Sequence, residues 1–346
     1  MLAPIHSQAQ RATSPASRPA TAAPREGAPE HSVQVDTLGM ADVWEAGFTG
    51  KGVGIAVIDT GVALHPDIKD RVVAFKDFVN HQDAGESADP SAAYDDGGHG
   101  TAVSTVSAGD GTASQGRNMG TAPGANIIGL KGVEGRGYAW ASNVVNSIQW
   151  AIENKERYNI RVLNMSFFLD DPSVEAHGPV VQAIEKAAEA GIIPVAAACN
   201  DGPSAQTLHT IASYPFVVTV AAFSDHGTVD AKDDRIANFS SRGPGDHGEM
   251  KPDVAAPGVR VIVGTTDGDY EQSDGTSFAS PIAAGVIATW LEANPGLKVE
   301  DVQKIISTTS EPLAGYSHFD QGFGEIRPMA GLQMALSMKE QPKPTA

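Results

Sequence analysis

Short, unbroken apolar runs recur along the chain and are typical of strands that are buried on both faces. One such run, residues 53–58 (VGIAVI), lies between Gly52 and the turn-forming residues Asp59, Thr60 and Gly61. Apolar segments of this length, bounded by glycine, indicate strands of a parallel sheet. The same pattern predicts further strands at residues 72–78, 126–131, 161–166, 192–198, 216–222 and 259–263.

Segments with helical patterns separate these strands. Residues 282–291 (IAAGVIATWL) are apolar on nearly every side, which indicates a helix buried in the core. Other helices are predicted at residues 40–47, 98–108, 138–155, 179–190, 299–307 and 328–338. The alternation of strands and helices predicts an α/β fold, a three-layer αβα sandwich with a mostly parallel central sheet.

The two ends of the chain differ in composition from the part between them. Residues 1–34 are rich in Ala, Pro, Ser, Thr and Arg without an apolar period, which favours a disordered tail or a leader remnant. Residues 339–346 are predicted to be a disordered C-terminal tail. No interior linker or repeat is visible, so we predict one domain over residues 35–338.

The charge balance narrows the range of partners. The 346 residues include 24 basic and 42 acidic side chains, which gives a formal net charge of −18. Such a surface repels phosphate backbones and anionic lipid, so we expect neither nucleic acid nor membrane as a partner. No apolar run approaches the roughly 20 residues of a membrane span. The single cysteine, Cys199, excludes an internal disulfide.

One serine lies among small residues directly before the buried helix. It is Ser277, in residues 275–281 (GTSFASP). The first turn of a helix has free N–H groups and the positive end of the helix dipole, so a negative oxygen can be stabilised there. A hydroxyl needs a base and an orienting carboxylate before it attacks a carbonyl carbon. The rest of the chain must supply both groups.

Three other polar residues have the types and positions that this chemistry requires. Asp59 follows strand 53–58 at the carboxyl end of the sheet, where α/β proteins place their sites, and His99 lies in residues 98–101 (GHGT). Asn200 follows strand 192–198. In acyl transfer the serine attacks, the imidazole carries its proton, the carboxylate orients the imidazole, and an amide with the serine N–H stabilises the oxyanion.

Each of these residues also has a simpler explanation when taken alone. Asp59 and Asn200 are ordinary turn formers, His99 suits a glycine-rich loop, and Ser277 suits a helix N-cap. The four types together favour catalysis.

Six segments, in chain order, resemble those of subtilisin-like serine proteases, the subtilase family. They are residues 57–61 (VIDTG), 98–101 (GHGT), 164–166 (NMS), 197–200 (AACN), 251–258 (KPDVAAPG) and 275–281 (GTSFASP). The resemblance implies a subtilisin-like fold and a serine endopeptidase that works through an acyl-enzyme. It makes Ser277 the nucleophile, His99 the general base and acid, Asp59 its orienting group, and Asn200 the oxyanion donor.

The resemblance also implies how substrates and ions bind. An extended protein or peptide substrate would lie between two strand segments by strand addition. The residues concerned are Gly135, Arg136, Gly137, Ser166, Phe167, Phe168 and Cys199. The family needs no cofactor for its chemistry and often carries structural calcium, for which no ligands are assigned here. We expect a monomer. Many members of the family are exported, so the resemblance favours export, although no signal-peptide pattern is visible and intracellular relatives exist.

Three of these positions depart from the family pattern. Cys199 stands where the family usually has glycine, and Phe167 and Phe168 stand where it usually has leucine and glycine. In the family, position 199 and positions 167–168 both border the pocket for the residue before the scissile bond. We therefore expect this pocket to be narrowed or reshaped, and we do not transfer the family's substrate preference to this chain. Phe167 and Phe168 are as consistent with core as with a pocket wall, and Cys199 with a small buried thiol.

Alternative functions fit the sequence less well. An α/β-hydrolase esterase needs G-x-S-x-G, whereas residues 275–279 (GTSFA) end in alanine and the triad order differs. A dinucleotide-binding module lacks its third glycine after Gly52 and Gly54. A catalytically weak, peptide-binding pseudoprotease stays open, because the pocket positions are unusual.

An acidic loop offers oxygen ligands for calcium. Its carboxylates are Asp83, Glu86, Asp89, Asp95 and Asp96. They lack an ordered ligand spacing, so a solvated charged loop is favoured.

Overall fold

The computed structural model describes residues 31–80, 88–169, 178–246 and 248–340. Its strands are β1 Gly54–Asp59, β2 Val72–Asp77, β3 Asn126–Lys131, β4 Ile160–Met165, β5 Ile193–Ala197, β6 Val218–Ser224, β7 Arg235–Ile236, β8 Val254–Pro257, β9 Val261–Gly264 and β10 Tyr270–Ser273. Its helices are α1 Val33–Asp36, α2 Met40–Glu45, α3 His99–Ala108, α4 Ala141–Glu153, α5 Lys155–Tyr158, α6 Pro179–Glu189, α7 Thr276–Ala293, α8 Val299–Thr309, α9 His318–Gln321 and α10 Pro328–Glu340.

The central sheet has the strand order β2-β3-β1-β4-β5-β6-β7, with β8 also paired to β6. Every pair is parallel except β6 with β7. The chain builds outward from β1 on one side through β3 and β2, and on the other through β4, β5 and β6. This makes the carboxyl end of β1 the point where the strand order reverses, which is where open α/β sheets place their sites.

Side chains of the sheet alternate between two apolar layers. Ile55 and Val57 of β1 pack in one cluster with α3 and α7, whereas Ala56 and Ile58 pack in another with α4 and α6. The mostly parallel sheet covered on both faces confirms the predicted αβα sandwich. Helix α7 is buried nearly all round, as its uniform apolar pattern predicts.

Each of the two predicted tails extends a few residues into the described part of the chain. Helix α1 begins at Val33, within the segment predicted to be a tail, and Val35 is 1% exposed. Helix α10 runs to Glu340. The rest of the two predicted tails, and Asp83 and Glu86 of the acidic loop, lie outside the described residues. In the part of the chain that the structure describes, no helix is both long and apolar enough to cross a bilayer.

A group of buried carboxyl side chains lies beside β6 and β7, away from the carboxyl end of β1. Asp234 is 1% exposed, and neither of its carboxylate oxygens has a hydrogen-bond partner among the described residues. Burial, reinforced by the charges of Asp225 and Asp233, raises the pKa of Asp234 to about 6, against the opposing charges of Arg327 and Arg235. The charged form of Asp234 is therefore disfavoured in the folded protein.

We predict that Asp234→Asn flattens the pH dependence of stability between about pH 4 and pH 6. The pKa of Asp234 is raised in the folded state, so its stabilising contribution is complete below pH 4 and is lost as the pH rises to about 6. Above pH 6 the variant should be more stable than the wild type by at most about 3 kcal/mol. Urea unfolding at pH 4 and pH 7 measures this difference. The exposed Asp230→Asn is the control, and equal behaviour of the two variants would contradict the prediction.

Candidate active site

The Asp59 and His99 side chains meet at the carboxyl end of β1. The Nδ1 atom of His99 lies 2.8 Å from Oδ1 of Asp59. Asp59 is 2% exposed, and its Oδ1 also accepts the N–H of Thr60 at 2.7 Å. Since the carboxylate accepts a hydrogen bond, Nδ1 carries the proton and Nε2 of the neutral ring is left as the acceptor. This is the tautomer that a general base needs.

A close approach of α3 to β1 makes this contact possible. A Cβ atom on Gly100 would lie 2.1 Å from the Gly61 carbonyl oxygen and 2.9 Å from Cβ of Asp59. Any larger residue would push the start of α3 away from β1, and with it His99. The glycine after the histidine is therefore required by packing.

The pKa of His99 reflects opposing effects. Partial burial lowers it, whereas the charge of Asp59, the hydrogen bond to that carboxylate and the charge of Asp95 raise it. The net direction is upward, so the site favours the imidazolium relative to an isolated histidine. A base that has just accepted a proton is stabilised in this environment.

Ser277 is the second residue of α7, and the adjacent Phe278 ring lies 5.7 Å from the His99 ring, centroid to centroid. The Ser277 hydroxyl donates to the carbonyl oxygen of Ser166 at 3.2 Å. Among the described residues it makes no hydrogen bond to His99. The structure thus brings Ser277 to the same site, with its hydroxyl in a conformation that engages Ser166. In enzymes the hydrogen bond between a nucleophile and its base is often long or poorly aligned when no substrate is bound.

The backbone before Ser277 adopts a conformation open essentially to glycine alone. Gly275 has φ 154° and ψ 152°. This region is closed to residues with a Cβ atom. Gly275 is therefore required for the backbone conformation through which the chain enters α7.

Asn200 is tied to the residue before Ser277. Its Oδ1 atom accepts both the N–H and the hydroxyl of Thr276, each at 3.0 Å. The Nδ2 group has no acceptor among the described residues, so its two hydrogens are available to a ligand beside Ser277. Asn200 is thereby oriented as a donor.

Ser166 anchors the first turn of α7, which the sequence did not indicate. Its hydroxyl donates to the Ser277 carbonyl oxygen at 2.9 Å and accepts from Asn164 at 2.9 Å. The residue that would normally donate to that carbonyl is Pro281, which has no N–H. The signal in the sequence is the proline four residues after the serine.

The remaining predicted substrate positions lie in irregular backbone. Gly135, Arg136 and Gly137 form a turn between the bridged residues Val133 and Ala139, and residues 166–168 continue β4 beyond its end. Neither segment is a strand in the described structure, which corrects the expected element type. Phe167 packs against the apolar layer of α4 and α6. Phe168 is 41% exposed, with its ring 4.9 Å from that of His209.

The described carboxylates of the acidic loop are occupied by N–H and O–H donors. Asp95 accepts five hydrogen bonds, Asp96 pairs with Lys131 at 2.6 Å, and Asp89 accepts from Ser91. Donor hydrogens fill the lone-pair directions of Asp95, so this carboxylate is not free to bind a cation, whereas Asp89 and Asp96 accept donors from the described residues at Oδ1 alone. Among the described residues no group of three or more His, Cys, Asp or Glu is arranged to hold a metal ion.

Cys199 precedes Asn200 in a left-handed conformation. Its φ is 80°, and the residue is buried. Burial, with a contribution from the charge of Asp201, raises the pKa of the Cys199 thiol to about 12. The thiol is therefore protonated near neutral pH and is a poor nucleophile.

We predict that Cys199→Gly is more stable than Cys199→Ala. A left-handed residue with a Cβ is disfavoured by roughly 1–2 kcal/mol, which exceeds the usual entropic penalty of glycine, so a difference of about 0.5–1 kcal/mol is expected. Chemical denaturation of both variants measures it. At the buried helical residue Ala187, replacement by glycine should instead destabilise. If Cys199→Ala were more stable than Cys199→Gly, the backbone at position 199 would not be strained by a Cβ atom, and the prediction would be wrong.

A family model and two sequence relatives match most of the chain. The model of the Subtilase family matches residues 50–325. Serine protease AprX of Bacillus subtilis (strain 168) is 36% identical over 282 residues, which cover 76% of this chain and 62% of AprX. Subtilisin DY of Bacillus licheniformis is 34% identical over 288 residues, covering 82% of this chain and 93% of that protein.

Two solved protease structures have a fold similar to that of this chain. One titled S41 Psychrophilic Protease has a TM-score of 0.69 at 30% identity and covers 80% of this chain and 91% of its own. Sphericase has a TM-score of 0.68 at 28% identity, with 81% and 92% covered.

Proposed function

The chain belongs to the subtilase family, and we propose that it is a serine endopeptidase that hydrolyses peptide bonds with the triad Asp59, His99 and Ser277. The observation that carries the proposal is the 2.8 Å hydrogen bond between Asp59 and His99, formed beside the first turn of α7. Asn200 is proposed as the oxyanion donor. Protein and peptide substrates, a monomeric state and export are further proposals that rest on the family.

The proposed chemistry assigns one task to each atom. Nε2 of His99 accepts the Ser277 proton as the serine oxygen bonds to the peptide carbonyl carbon. Asp59 orients the ring through Nδ1 and stabilises the imidazolium. The carbonyl oxygen becomes negative and is met by Nδ2 of Asn200 and the N–H of Ser277. His99 then protonates the leaving amine, and water hydrolyses the acyl-enzyme.

The proposed substrate path runs along residues 135–137 and 166–168. Support comes from Ser166, whose hydroxyl donates to the Ser277 carbonyl and whose carbonyl accepts from the Ser277 hydroxyl, and from Phe168, which is exposed two residues further along the chain. Cys199 and Phe168 are proposed to border the pocket for the residue before the cleaved bond.

One observation favours a second candidate, a catalytically weak peptide-binding protein. The Ser277 hydroxyl is bonded to Ser166 and not to His99. For catalysis the hydroxyl must leave the Ser166 carbonyl and turn toward Nε2 of His99, which is an ordinary side-chain motion. The experiment below distinguishes the two candidates.

We predict that Ser277→Ala abolishes peptide hydrolysis and labelling by a fluorophosphonate. The variant lacks the only proposed nucleophile but keeps the buried start of α7 intact. Casein digestion, a mixed peptide library and mass spectrometry of the labelled protein are the measurements. Ser142→Ala, which removes an exposed hydroxyl in the first turn of α4, is the matched control and should keep full activity. Tight peptide binding by an unlabelled, inactive wild type would support the second candidate.

Asn200→Ala should lower kcat with little change in KM. The expected loss, about 10²- to 10³-fold, is the measured value for an oxyanion donor in subtilisin, a relative of this chain, and is carried over from it. Steady-state kinetics on one peptide measures it. An unchanged kcat would remove Asn200 from the oxyanion site.

A further inference from the structure

One carboxylate that the proposed mechanism does not use lies directly beside the triad. Asp95, in the loop before α3, accepts five hydrogen bonds. They come from Thr60 Oγ1 at 2.8 Å, Gly97 N at 3.0 Å, Gly98 N at 2.8 Å, Thr101 N at 2.8 Å and Thr101 Oγ1 at 2.7 Å. Oδ1 accepts three of these bonds and Oδ2 accepts two, so no lone-pair direction of the carboxylate is left free.

These donors come from both sides of the Asp59–His99 contact. Thr60 follows Asp59, Gly97 and Gly98 precede His99, and Thr101 lies two residues after it. Thr60 Oγ1 also accepts the N–H of Gly100 at 3.0 Å. Asp95 therefore ties the end of β1 to the backbone on each side of His99, and it caps the first turn of α3 through Thr101.

The Asp95 carboxyl group is ionised over a wide pH range. Burial raises the pKa of Asp95, but the hydrogen bonds from Thr101, Thr60 and Gly98 lower it by more. The net shift of the pKa is therefore downward. Its charge also acts on His99 and raises the pKa of that ring. The charged groups that act on His99 are thus Asp59 from β1 and Asp95 from the preceding loop, while α7 faces it with the uncharged Phe278 ring.

We propose that Asp95 is a positioning residue of the active site, which fixes His99 relative to Asp59 and supplies a second negative charge that stabilises the imidazolium formed when Ser277 loses its proton. The inference rests on the proposed role of His99 as the base. Asp95 touches neither the proposed nucleophile nor the oxyanion donor, so it acts through His99.

The test is Asp95→Asn in the full chain. Asparagine keeps the shape but loses the charge, and its NH₂ group must face N–H or O–H donors. We expect kcat to fall about 10- to 100-fold with KM nearly unchanged, since only the transition state contains the imidazolium. The acidic limb of the kcat/KM profile should move to lower pH by about half a unit or more, as loss of a nearby charge requires. The exposed Asp70→Asn, which removes one surface charge, should change neither quantity.

Thr101→Val separates the charge from the hydrogen bonds. It removes one hydroxyl donor to Asp95, together with the acceptor of the Ala63 N–H, and keeps the carboxylate, so kcat should fall severalfold while the acidic limb stays in place. If Asp95→Asn does not fold, this variant decides alone. A folded Thr101→Val with wild-type kcat, or a folded Asp95→Asn with an unmoved acidic limb, overturns the proposal.

A titration separates failure of this inference from failure of the proposed function. The His99 ring can be titrated by NMR in the Ser277→Ala background, with and without Asp95→Asn, where no turnover is needed. A lower His99 pKa in the double variant supports the charge effect even if the wild type proves inactive, and an equal pKa overturns it even if the wild type is a protease.

Discussion

The site depends on how a proline is accommodated in a buried helix. Pro281 removes the N–H that would bond the Ser277 carbonyl, yet α7 lies in the core, where an unpaired carbonyl is destabilising by roughly 1–3 kcal/mol. The Ser166 hydroxyl donates to the Ser277 carbonyl in place of the missing N–H. The amide group of Asn164 orients that hydroxyl by donating to it and also accepts a hydrogen bond from the Ser280 hydroxyl. Because Asn164 and Ser166 lie at the end of β4, this polar chain fixes the start of α7 against the sheet. The position of Ser277 therefore follows from satisfying a backbone group.

The order of the strands explains why residues far apart in sequence meet. Strand β1 is central and has β3 on one side and β4 on the other, so its carboxyl end is flanked by the ends of both. Asp59 comes from β1 itself, the Ser166 segment from β4 and Asn200 from β5. Parallel strands end on the same edge, and β1, β4 and β5 are consecutive in the sheet. Only His99 and Ser277 come from helices, and in each case a glycine beside the residue allows the close packing or the chain path that the position needs.

Sequence patterns predicted the buried strands well and the short ones poorly. The bounds of β3 agree residue for residue, and β1 and β5 agree to within one, because unbroken apolar runs reflect burial on both faces. Strands β7, β8 and β10 were not predicted: β7 is two residues long, β8 is four residues ending in proline, and β10 (YEQS) is mostly polar. The four proposed catalytic residues were visible as motifs. Asp95 was not, because spacing does not show which of several loop carboxylates turns toward the backbone, whereas Asp95 alone among the described ones collects five donors.

The unusual Cys199 shows how strain beside a site is sustained. A left-handed residue with a side chain persists only where its surroundings determine the backbone from several directions. Here the Cys199 carbonyl accepts the Ser241 N–H at 2.9 Å. Two residues further along the chain, the backbone N–H of Asp201 donates to the Ser241 hydroxyl at 3.0 Å. Asn200, between them, is tied by its side chain to Thr276. Three anchors on consecutive residues hold the turn whatever stands at position 199, so the direction of the Asn200 amide does not depend on glycine. What the cysteine changes is the volume and polarity beside that amide, so if Asn200 has the proposed role, we expect any difference in substrate preference from a glycine-bearing relative to arise there.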